Sequence, residues 1–374
     1  MTETPTPTDV RRGHLFTGMD LSEGRTLEIG PLDVPLVTGD MAEVRYVDVV
    51  DRERLVTQFS EDPSVDTEQI PEIHHWLTRD DGSVSTLAEA VAATGRFRHV
   101  VASHVVEHVP DMVGWLHDVA TVLDDDGNLL LVVPDRRFCF DARRSPATVG
   151  QVLQAYYDGD RTPSVRAVYD HLRSSVDFPV DQAWRGTWPP GPPIYDREAA
   201  MPHVELQRRG EYVDSHVWPM TPCSFLDILS DLLAAGLVDF TVQRITPTPE
   251  MAYEFYVVLR RLPRDGDREA LRRTEDVRLA QVRAALPDEE RTWPHQVRES
   301  ELVGRIADLE AQLGAVRTRL ERVRTQRDRA RAQRDRALAK SKVAPGRPSR
   351  PAAQPEQQPG RLRSRLARRL RRMR

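Results

Sequence analysis

Four short clusters of residues carry the chemistry open to this chain. Glu28, Ile29, Gly30 and Pro31 close an apolar approach through Leu27, and Asp48 ends a second apolar run about one βα unit later. A glycine at the carboxyl end of a strand lets backbone approach a ligand closely, and an acidic residue at the tip of the next strand can accept hydrogen bonds from ribose hydroxyls. The pair points to an adenosine-type cofactor over the first two strands. Ser103, His104, Glu107 and His108 begin where a later apolar run stops. Ligand crevices in open α/β sheets form at that end of the strands, and an imidazole titrates near neutrality, so His104 is the candidate general base for a substrate hydroxyl. Asp214 and His216 precede the last large helical segment. They read as an orienting carboxylate–imidazole pair above the same sheet edge. No metal is required by this inventory, and His74 with His75 makes a poor metal pair because neighbouring side chains of a strand point oppositely.

These clusters need a sheet to position them. From residue 25 to about residue 261 apolar runs alternate with helix-like segments, the signature of a parallel α/β sheet. Candidate strands are 26–29, 44–47, a weak one at 70–74, 97–102 and 128–133. Helical signals lie between them: 85–91 opens on a capping serine or threonine, and 111–123 has apolar residues three and four apart before an Asp124-Asp125-Asp126-Gly127 turn. The segment after Pro134, rich in Pro, Trp and Tyr, breaks the alternation and reads as an insertion over 136–220. A helix at 222–235 and strands at 238–245 and 253–259 follow. The loop TPTPEMA between those strands is too short for a parallel crossover, so the sheet should be mixed, with an antiparallel edge.

LEIGP at the first strand, the acid at Asp48, ASHVVEHVPD at the fourth strand and DDDGNLLLVVPD at the fifth together resemble a class I S-adenosylmethionine-dependent methyltransferase over residues 21–261. The resemblance implies a Rossmann-like, mixed seven-stranded sheet and S-adenosyl-L-methionine as cofactor. It also implies that Glu28, Gly30 and Pro31 meet the methionine portion, that Asp48 holds the ribose and that Trp76, after the third strand, stacks on adenine. Ser103, Glu107 and His108 become cofactor-side residues. The family's second glycine is replaced by Leu32, so the loop must hold its ligand with less backbone freedom. The insertion reads as a substrate lid, because aromatic and proline residues beside a cleft form a shaped, water-excluding wall.

Composition bounds the rest. The chain has 374 residues, 39% of them hydrophobic, enough for a large core. Two cysteines cannot build a disulfide framework, and the opening MTETPTPTDV has no apolar h-region, so the expectation is a cytoplasmic protein. Residues 1–260 hold 22 Lys and Arg against 42 Asp and Glu, a net of -20, whereas 261–374 hold 31 against 16, a net of +15. An acidic catalytic part argues against a polyanionic nucleic acid as direct substrate.

Residues 1–20 read as a flexible terminus and 262–298 as a helical connector. Leu302, Ile306, Leu309, Leu313, Val316, Leu320 and Val323 then alternate in steps of four and three, which predicts an α-helical coiled coil over 299–341 and a homo-oligomer through 302–323. A Pro-rich linker (342–360) and a basic amphipathic tail (361–374) follow. The apolar stripe of the tail favours a peripheral contact with the inner face of a membrane over nucleic acid. The expected activity is O-methylation of a small-molecule or glycan acceptor, such as a cell-envelope precursor. The alternatives are a catalytically silent scaffold acting through its coiled coil and a nucleic-acid methyltransferase.

Overall fold

A computed structural model describes residues 5–186, 191–265, 267–286 and 289–342. Its contacts divide into two units, 1–305 and 306–374. In the first, seven strands, β1 (Arg25–Ile29), β2 (Glu43–Asp48), β3 (His75–Trp76), β4 (Phe97–Ser103), β5 (Leu123–Pro134), β6 (Phe240–Thr246) and β7 (Glu254–Arg261), form one sheet in the order β3-β2-β1-β4-β5-β7-β6. All neighbours pair in parallel except β7, which runs antiparallel to both β5 and β6. This is the mixed sheet with an antiparallel edge that the sequence implies. The order reverses between β1 and β4, and such a switch point opens a crevice beyond the strands' carboxyl ends.

Among the described residues, nine helices precede α10 (Arg268–Ala285) and α11 (Glu289–Lys342): α1 (Pro7–Phe16), α2 (Arg52–Gln58), α3 (Leu87–Val91), α4 (Met112–Val122), α5 (Val149–Asp158), α6 (Val165–Ser174), α7 (Val180–Trp184), α8 (Arg197–Arg208) and α9 (Pro222–Ala234). Their starts are written locally. Thr6, Thr86, Thr148 and Thr221 each begin a capping box, and the Asp111 carboxylate accepts the Gly114 N–H at the head of α4.

The central strands are buried on both faces, so successive residues feed two cores. Leu129, Leu131 and Val133 join the cluster beneath α3, α4 and α9, while Leu130 and Val132 join the opposite cluster with Leu15, Leu55 and Tyr256. Each such Leu or Val contributes roughly 1.5–3 kcal/mol by leaving water.

Three expectations change. Residues 7–16, read as flexible, form α1, whose Leu15 is fully buried and whose terminal carbonyls accept from Arg244. The third strand is the His75–Trp76 pair itself, since 70–74 supplies the core residues Ile70 and Ile73 without a ladder. The Asp124–Gly127 turn is absorbed into β5 as an irregularity, with Asp126 at φ 63° and a register shift against β4 between Phe97 and His99. The insertion carries α5 to α8 and a 3-10 turn, Phe140–Arg143. α11 runs unbroken to Lys342, and the seam residues from Leu302 to Val323 are all exposed. The linker from 343 and the tail at 361–374 lie outside the described residues.

Candidate active site

β1 and the turn after it shape the cofactor end. Glu28 is 1% exposed, and its two carboxylate oxygens accept the backbone N–H groups of Leu36 and Val37 at 2.6 and 2.9 Å. Burial drives its carboxyl up to about 7, against the pull of those two bonds and of Arg12. Glu28 was expected to meet the cofactor. Both of its oxygens accept N–H groups of its own loop, which ties 31–37 to the sheet. Gly30 sits at φ +65°, and a Cβ there would come within 3.3 Å of the Val105 side chain. Pro31 is buried and its carbonyl accepts the Val34 N–H. Leu32, at φ 42°, packs against the core cluster that holds Leu36 and Val37.

Asp48 ends β2, and its carboxylate accepts the Val49 N–H at 2.7 Å. Burial raises its pKa to about 6, that bond opposing. Its partner across the β2–β3 ladder is Trp76, 45% exposed. His74 and His75 serve the fold: His74 Nδ1 accepts the Tyr46 N–H, and His75 meets the Thr94 hydroxyl at 3.1 Å.

Beyond β4 lie the titratable groups. Ser103 closes the strand, and His104 follows in left-handed backbone at φ 55°. His104 Nε2 is 2.8 Å from Glu254 Oε2, and Arg11 grips the same carboxylate with two 2.8 Å bonds. Burial disfavours the Glu254 charge, but bonds to His104 and Arg11 outweigh it and hold the pKa at about 2. Glu107 is fully buried, and among the described residues both its carboxyl oxygens lack a hydrogen-bond partner; His104 Nδ1 lies 3.5 Å from Oε1. The Glu107 main-chain carbonyl accepts the N–H groups of Val217 and Trp218, bringing the 214–216 segment alongside.

The expected Asp214–His216 pair does not form. Asp214 bonds His108 Nδ1 at 2.9 Å, while His216 Nδ1 bonds Asp141 at 2.5 Å. The cause is the path of the chain: Asp214 stays largely exposed at the rim, where His108 also lies, whereas His216 is buried against the 3-10 turn, whose Asp141 is also held by Arg144. Burial works against the charge on His108, but Asp214, Glu107 and Asp141 together raise its pKa. Neighbouring His171 is pushed down to about 4, chiefly by burial.

A cavity of about 400 Å³ lies beside these groups, lined by His104 and Tyr253 from the sheet edge, by Phe138, Phe140 and Phe178 from the insertion, and by His216. Trp184 supports it from behind, stacked on Phe138 at 4.3 Å, with its indole N–H bonded to the Ala252 carbonyl.

A family model described as a methyltransferase domain matches residues 15–174, which take in β1 to β5 and the crevice they open. Over these residues the chain matches a methyltransferase domain, which supports a class I S-adenosylmethionine-dependent methyltransferase. Among solved structures, an S-adenosylmethionine-dependent methyltransferase from Mesorhizobium loti is 14% identical to this one, over 67% of this chain and 96% of that one, at a TM-score of 0.31. One from Methanosarcina mazei is 15% identical over 65% and 94%, at 0.30. The N-methyltransferase NodS from Bradyrhizobium japonicum WM9, solved with S-adenosyl-L-homocysteine, is 11% identical over 68% and 88%, at 0.30. Superpositions this loose carry none of the chemistry below. No curated protein matches.

Sequence reasoning missed Arg11, Asp141 and Glu254 in this methyltransferase. Arg11 had a readable signal in Thr6-Pro7-Thr8-Asp9, a capping box with proline at the first helical position. Asp141 and Glu254 had none, because their histidine partners lie 75 and 150 residues away.

Proposed function

We propose that this methyltransferase methylates an oxygen of a small acceptor held in the cavity between β4, β7 and the insertion, with His104 as general base. The observation that carries this reading is the Glu254–His104 pair at the cavity wall. A carboxylate kept ionised against Nε2 orients the ring and stabilises the imidazolium that forms when Nδ1, which also stands 3.5 Å from Glu107, takes a proton.

The residues at the switch point fit an adenosine-bearing cofactor. Gly30 leaves the space a side chain would take, Glu28 holds the loop, Asp48 offers a carboxylate engaged only by Val49, and exposed Trp76 stands beside it as a stacking face. When bound, S-adenosylmethionine supplies an electrophilic methyl group on a sulfonium. The task left to this chain is positioning: in-line approach of an acceptor oxygen, exclusion of water by Phe138, Phe140 and Phe178, and removal of one proton by His104. A glycan or other cell-envelope precursor is the acceptor class we favour, since aromatic walls suit sugar faces and a C-terminal sequence that interleaves Leu with Arg suits a membrane-bound acceptor pool.

Incubating the full chain with cofactor and sugar-nucleotide or lipid-linked glycan acceptors, followed by mass spectrometry, tests this reading. The expected product carries one added CH₂ on an oxygen, with kcat falling about 10²- to 10⁴-fold in His104→Gln. A product methylated on nitrogen or carbon, or unchanged turnover in that variant, contradicts it.

A further inference from the structure

Glu107 poses a problem that methyl transfer does not solve. Its carboxyl group is fully buried, and among the described residues neither oxygen has a hydrogen-bond partner. Buried carboxyl oxygens with unmet acceptor sites call for a donor or a cation. His108 and His216 stand beside it, and one ligand atom from each of the three residues lies within 4.8 Å of the others. The rings meet edge-on, their centroids 4.6 Å apart. Each ring is oriented by a carboxylate at Nδ1, Asp214 for His108 and Asp141 for His216. An imidazole that donates Nδ1–H to a carboxylate presents the Nε2 lone pair, the arrangement that holds histidines on metals.

We propose that Glu107, His108 and His216 bind a divalent transition cation, with Asp214 and Asp141 orienting the two imidazoles. Two imidazoles and one carboxylate suit zinc, cobalt, manganese or ferrous ions, whereas magnesium and calcium prefer oxygen-only shells. Small side-chain rotations bring donors at these separations to bonding distance. Three protein ligands leave coordination positions open. Because His216 also lines the cavity, a cation held by it would lie beside the space assigned to the acceptor and would favour acceptors presenting an oxygen donor such as a sugar hydroxyl. That consequence rests on the acceptor reading above, but the cation site itself does not.

The competing partner for Glu107 is the His104 ring, whose Nδ1 is 3.5 Å away. Chelator-stripped full-length protein, without S-adenosylmethionine, is titrated with Co²⁺ and followed by calorimetry and visible absorption. We expect one equivalent per chain with a ligand-field spectrum, affinity lowered more than about tenfold in Glu107→Gln and His108→Gln, and lowered about tenfold in Asp214→Asn, whose largely exposed side chain spares the fold. Circular dichroism confirms that each variant is folded. An absence of binding at millimolar Co²⁺ and Zn²⁺, or wild-type affinity in folded Glu107→Gln and His108→Gln, overturns the site. No cofactor or acceptor takes part, so failure here is separate from failure of the methyl-transfer reading.

Discussion

Burial raises the Asp48 carboxyl to about 6, and only the ionised form accepts hydrogen bonds from both ribose hydroxyls. The sign follows. Above pH 6 the acceptor is present and binding is at its plateau; as pH falls below 6 the carboxyl protonates, and affinity for S-adenosylmethionine drops by up to about tenfold per unit. Asp48→Asn should bind more weakly at pH 7.5 and show a flat profile down to pH 5. Calorimetric titration across that range checks it, and an unchanged profile in the variant would remove Asp48 from the ribose site. Glu28, which titrates near 7, holds its own loop through both oxygens.

Among the elements, α11 presents Leu302, Ile306, Leu309, Leu313, Val316, Leu320 and Val323 on one exposed seam. At about 1.5 Å per residue its 54 residues span roughly 80 Å, far longer than a solitary helix needs to be. We expect self-association through 302–323. Sedimentation equilibrium of the full chain should give a dimer or higher oligomer, and Leu309→Glu with Leu313→Glu should give a monomer that retains cofactor binding; a monomeric wild type would dispose of the idea. Element type was legible wherever apolar period and cap agreed, as in α4 behind Asp111 and α9 behind Thr221. It was not legible where one anchor does the holding. α1 has one fully buried residue, Leu15, and an arginine whose partner lies 243 residues on, so local pattern gave little reason to order it. Asp124 to Gly127 carries turn chemistry, yet the neighbouring ladder draws it into β5 as an irregular stretch.

At the scale of the molecule, an acidic catalytic part with net charge -20 is joined to a basic C-terminal part with +15. The switch point between β1 and β4 gathers Gly30 and His104 at one crevice, and the sequence pattern located that crevice because a strand end is a local feature. The pairing of histidines with carboxylates was out of reach for the opposite reason. Asp141, Asp214 and Glu254 reach their partners across 75, 106 and 150 residues, and only tertiary structure decides which imidazole each one meets.

The most direct test of the account is a calorimetric titration of folded, full-length protein with S-adenosylmethionine. We expect saturable binding of one equivalent per chain, abolished or strongly weakened in Asp48→Ala. Absence of heat at millimolar cofactor, or undiminished binding in that variant, would contradict a nucleoside cofactor seated over β1 and β2.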